Sequence, residues 1–129
     1  MNTKRLMTVT SVLLALAGGI ALFAPEVVLS ALGVSVTAQL SVMVQLMGGL
    51  YFGFALMDWT AKDSAIGGIY ARPVSLGNFG HFFVGALLLI KAQLSLGFDL
   101  PVFLASFVYV VFAILFYWLT FRSTGIKAE

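Results

Sequence analysis

The chain has 129 residues, of which 61% are hydrophobic and 9% charged, with a formal net charge of +2 and no cysteine. A soluble domain carries roughly 25% charged residues, so this composition excludes a water-solvated globule and makes a lipid bilayer the solvent. The absence of thiols excludes a disulfide framework, a thiol nucleophile and thiolate-held zinc or iron–sulfur centres, while the sparse basic residues flank apolar runs and form no nucleic-acid surface.

Residues 6–25, 27–57, 73–90 and 100–121 contain no charged side chain. A hydrocarbon core about 30 Å thick takes about 20 helical residues to cross, so these runs predict four spanning helices. The expected fold is all-α: one transmembrane domain over residues 1–129, an up-down four-helix bundle with helices at about 4–24, 38–59, 72–94 and 101–121. That leaves no room for a separate extramembrane domain.

Pro25 ends the first helix, because the residue before a proline is pushed out of the helical region. Residues 1–5 and the run behind them resemble a secretory signal, but the run exceeds the usual length of about 7–15 residues and Pro25 follows the small residue Ala24, so the segment is expected to stay. The next segment, about 26–33, is too short to cross and too apolar to float free, and reads as an interfacial helix stopped by Gly33. Thr37 is placed to cap the second spanning helix. Lys62, Asp63, Ser64 and the Gly67-Gly68 pair mark a central loop, Pro73 suits the first turn of the third helix, and Gly97, Phe98 and Asp99 turn the chain before Pro101.

Orientation follows from Lys and Arg. Lys4, Arg5, Lys62, Arg72, Arg122 and Lys127 fall on one side and only Lys91 on the other, which predicts both termini in the cytoplasm of a bacterial inner-membrane, multi-pass protein. Trp59, Tyr70, Tyr117 and Trp118 fall at the same boundary, where amphipathic rings favour headgroups.

In lipid, helices associate where small residues let backbones approach. Ladders at four-residue spacing are Ser11, Ala15 and Gly19 in the first helix, Gln45, Gly49 and Gly53 in the second, and Gly77, His81 and Gly85 in the third; Ala105, Tyr109 and Ala113 form a weaker one in the fourth. They predict faces turned towards protein. The hydroxyls of Thr8, Thr10 and Ser11 are expected to bond back to their own helix.

His81 lies roughly 14 Å into the third helix, near the bilayer midplane, where an ionisable group is expensive and marks a functional hypothesis. Two readings stand side by side. Either a neutral His81 ties helices together through a neighbour such as Tyr109 or Gln45, or it binds a ligand or handles a proton. Asn78, one turn earlier, is either a second tie or part of one polar pocket with His81. Gln45 reads as a packing contact nearer the outer surface.

The catalytic inventory is thin. Glu26 and Asp99 lie towards one side, Asp58 and Asp63 towards the other, so no carboxylate pair shares a cleft. A single histidine makes neither a bis-histidine haem site nor a metal set, and there is no phosphate loop or nucleophile elbow.

The Pro-terminated first helix, the Leu32-Gly33 stop, the glycine-bearing second helix and the series Arg72, Asn78, His81 and Gly85 together resemble small bacterial four-helix membrane proteins of the broad DoxX-like kind. Many of that group have no assigned activity, and some have a quinone-linked role. The resemblance implies Arg72, Asn78 and His81 as polar or headgroup contacts. The expected function is a small non-enzymatic structural or accessory subunit without a cofactor, its partners being the bilayer and either further copies or a larger membrane complex. The alternative is a quinone or small-lipophile binder in membrane redox chemistry, with His81 and Asn78 as its polar end, and Arg72, Gln45 and Tyr109 as further contacts.

Overall fold

A computed structural model describes residues 2–64 and 71–122. The order of elements is α1 (Thr3–Phe23), α2 (Pro25–Ala31), α3 (Ala38–Ala61), α4 (Arg72–Leu96) and α5 (Leu100–Tyr117), the last continued by a wider π-helical stretch, Trp118–Arg122. Four of the helices, at 21, 24, 25 and 23 residues with the π stretch included in the last, are long and apolar enough to cross a membrane. The all-α expectation therefore holds, with the short helix where the sequence places it. The Gly67-Gly68 turn, Tyr70 and Lys127 lie outside the described residues.

Local chemistry explains each boundary. Asn2 accepts a hydrogen bond from the Arg5 amide to open α1, and Ala24 breaks the helix before Pro25, which begins α2 with no amide to satisfy. Gly33, at φ +67°, takes the left-handed conformation that ends α2. Thr37 accepts from Leu40 to cap α3, as expected. Gly97, at φ +90°, reverses the chain after α4, and Asp99 accepts from the Val102 amide to cap α5.

The chain forms two compact units, residues 1–63 and 64–129. In the first, α1 and α3 run antiparallel and α2 closes one end, burying Leu29 with Ala21 and Val44. The backbones meet at Gly18 and Gly48. A Cβ at Gly18 would stand 2.8 Å from the Gly48 carbonyl oxygen, and one at Gly48 would stand 2.9 Å from the Gly18 carbonyl oxygen.

This corrects the glycine ladders. Gly19, Gly49 and Gly53 face open space, while Gly18 and Gly48, one residue earlier, make the contact. A turn holds 3.6 residues, so each step of four overshoots by about 40° and a ladder drifts off the face it starts on. The buried face of α1 mixes steps of three and four, through Met7, Thr10, Ser11, Leu14, Gly18 and Ala21.

In the second unit α4 and α5 are also antiparallel, and side chains fill the seam. Phe82, fully buried, stacks on Phe112 and Phe116 at ring-centroid distances of 4.9 and 5.9 Å. Phe79 packs edge-on against Phe121. The π stretch turns both Leu119 and Thr120 to the buried side.

Candidate functional site

The residues with chemistry to offer divide between the two units. In the second, α4 carries His81 about halfway along its length, and α5 carries Tyr109 opposite it. The Tyr109 hydroxyl and His81 Nε2 are 3.3 Å apart, a hydrogen bond whose direction depends on the imidazole tautomer. Gly85, one turn after His81, makes the approach feasible, since a Cβ there would clash with the edge of the Tyr109 ring. Phe82 adds edge contacts to both His81 and Tyr109.

The bond expected between His81 and Tyr109 is thus present. The face is slightly different from the expected one. Ser75, Asn78, Phe82 and Ala86 form the buried centre of α4, and Gly77, His81 and Gly85 lie half-buried beside it.

Asn78 is fully buried, and its side-chain amide donates to the Val74 carbonyl of its own helix. Ser75 donates to Arg72 and Ser106 to Val102 in the same local way, each returning a hydroxyl proton to its own helix. Arg72 opens α4 on the exposed surface. Gln45 belongs to the first unit, where its amide donates to the Leu22 carbonyl at 3.1 Å and ties α3 to α1, in keeping with a packing contact.

Two features escaped the sequence reading. Ser11 does not bond back to its own helix as Thr8 and Thr10 do; its hydroxyl donates across the seam to the Ala55 carbonyl at 2.7 Å. The seam brings the α3 backbone close enough to compete with the local acceptor. Asp58, placed by the sequence only towards the same side as Asp63, is fully buried. Its register with Val44, Gly48 and Ala55 was the available signal, because steps of three and four place all of them on one face.

At the charged end of the first unit, Lys4 Nζ meets Asp63 Oδ1 at 2.6 Å, and Lys62 Nζ lies 2.9 Å from the Trp59 ring centroid. The hydrogen bond from Lys4, aided by its charge and that of Lys62, holds the Asp63 carboxyl below its ordinary range. In the second unit Arg122 lies 5.0 Å from the centre of the Trp118 ring. These pairs place a cation and an amphipathic ring together, an arrangement suited to a headgroup layer. Among the described residues no group of three His, Asp or Glu side chains is placed to hold a metal ion.

Fold and polar inventory define a multi-pass α-helical membrane protein. No family model matches the chain, and neither a curated protein nor a solved structure matches it.

Proposed function

We propose that this protein is a small non-enzymatic membrane subunit, structural or accessory to a larger assembly or to further copies of itself. The His81–Tyr109 bond carries the reading. The ionisable group nearest the middle of α4 is engaged by the adjacent helix and enclosed on one side by Phe82, which is how a helix tie is built. Ser11 and Gln45 likewise give their protons to backbone carbonyls of the facing helix. Side chains committed in this way hold helices in register.

The charge bias supports placement in a bacterial inner membrane with both termini cytoplasmic. The DoxX-like resemblance fits the same size and helix count, and its quinone-linked members supply the competing outcome of the test. Wild type and His81→Gln are purified from native membranes, their bound proteins, lipids and quinones identified by mass spectrometry, and their thermal stabilities compared. The expected result is unchanged partners with a slightly lowered melting temperature. A quinone or other small lipophile retained by wild type and lost from the variant, at unchanged stability, would overturn the proposal in favour of a binder. For orientation, a periplasmic reporter should be active when inserted at Ser35 and inactive when fused at Glu129, and the reverse pattern would contradict it.

A further inference from the structure

The turn between α4 and α5 exposes several large apolar side chains. Leu94, Leu96 and Phe98 are 83%, 86% and 76% exposed, and Leu100 and Phe103 continue the surface onto α5. A connection that emerged into water would be expected to carry polar residues here.

Length sharpens the problem. α4 has 25 residues, about 37 Å of helix against a hydrocarbon core of about 30 Å. Lys91, in its last two turns, needs to bring its ammonium to the headgroups. Leu94, Leu96 and Phe98 come after it, at the level where the chain either leaves the membrane or lies along its surface.

At the α5 end of the turn, part of the backbone is prepared for the second course. An amide or carbonyl that leaves water must find a partner within the protein. The Gln93 side-chain amide donates to the Asp99 carbonyl at 3.2 Å, which also accepts from the Phe103 amide at 2.9 Å. The Asp99 carboxylate takes the Val102 amide. Gly97, with its positive φ, folds the chain sharply without adding a side chain. Phe98 and Phe103 then meet at 5.6 Å between ring centroids and present a joint aromatic surface.

We propose that this turn is a lipid anchor: Leu94, Leu96, Phe98, Leu100 and Phe103 insert at the headgroup–acyl boundary of the leaflet at that end of α4 and α5. Phospholipid is the occupant because the surface is continuous with the exposed apolar faces of the same two helices, among them Leu87, Leu88, Leu104 and Phe107. It has the chemistry of those spanning faces without their length, so the membrane surface is the environment that covers it.

The natural absence of cysteine makes the test direct. Leu94→Cys and Phe98→Cys are each spin-labelled in the full chain and reconstituted in phosphatidylcholine–phosphatidylglycerol vesicles, with Asp63→Cys as a water-exposed reference. Collision with oxygen, which concentrates in lipid, is compared with collision with a water-soluble nickel chelate. Labels at both turn positions should meet oxygen strongly and the chelate weakly, while the reference meets the chelate freely. Strong collision with the chelate at the turn would overturn the proposal in favour of water. Weak collision with both reagents would overturn it in favour of a protein partner or second copy.

Discussion

The two helix pairs solve the same packing problem by opposite means. α1 and α3 bring their backbones together at Gly18 and Gly48, with Ser11 and Gln45 bonding across the seam to carbonyls of the other helix. α4 and α5 fill their seam with the rings of Phe82, Phe112 and Phe116 and with the His81–Tyr109 bond. In lipid there is little hydrophobic gain from bringing helices together, so either close backbone approach or well-fitted side chains must supply the attraction. The lesson is one of tolerance: the first seam has nowhere to put an added atom, whereas the second has side chains that can move.

The largest effect is expected at Gly48. Gly48→Val pushes carbon into the Gly18 carbonyl, the Leu22 amide and the Ala21 side chain, two of which are backbone atoms that cannot rotate away. Overpacking of this kind costs about 3 kcal/mol, the upper part of its usual range. Chemical denaturation in mixed micelles measures it, and a loss below about 1 kcal/mol would mean the seam is looser than described. Gly49→Val, one residue along and facing open space, is the matched control and should be nearly neutral.

Next comes Phe82→Leu in the aromatic seam. It keeps an apolar core side chain but removes two stacked ring pairs, which are worth about 1 kcal/mol each beyond area burial. The expected loss is about 1–2 kcal/mol by the same assay. A neutral result would show that ring geometry contributes nothing to this pair.

Gly85→Ala sharpens the contrast between seams, because the obstacle it meets is the Tyr109 ring and not backbone. The ring should swing aside and release His81, at a cost of about 1 kcal/mol, near the value of one interhelical bond in membranes. The Tyr109→Phe variant, which already lacks the bond, should feel the change less. Equal losses in both backgrounds would separate Gly85 from the His81 contact.

The smallest effect belongs to the exposed Lys4–Asp63 pair. The Asp63 carboxyl is held below its unfolded range, so its contribution is present at neutral pH and fades as acid protonates it, below about pH 4. Asp63→Asn should therefore remove only a slight stabilisation at neutral pH, and the difference from wild type should vanish in acid. High salt should shrink it as well. A difference that grows in acid would have the wrong sign for this pair.

How much of this was legible depended on the range of the interaction. Pro25, Gly33 and Thr37 act on adjacent backbone, so their effects on helix ends could be read from single residues. The His81–Tyr109 pairing was also accessible, because Pro101 fixes where α5 begins and an antiparallel partner then brings Tyr109 to the same level. The lateral face of each helix was less so. One residue separates the packed Gly18 and Gly48 from the open Gly19 and Gly49, and a four-residue ladder fits either set until the partner helix chooses. Ser11 was missed for the same reason: a cross-seam acceptor belongs to the pair of helices, not to the segment.

The central claim is that His81 serves as a tie between helices, and a double-mutant cycle tests it most directly. Unfolding free energies of wild type, His81→Leu, Tyr109→Phe and the double variant are measured in one micelle system, with bound quinone and lipid quantified in each. The account predicts a coupling of about 1 kcal/mol, within the range of interhelical bonds in membranes, and the same bound molecules in all four proteins. Additive effects, together with a small lipophile lost whenever His81 is replaced, would contradict it.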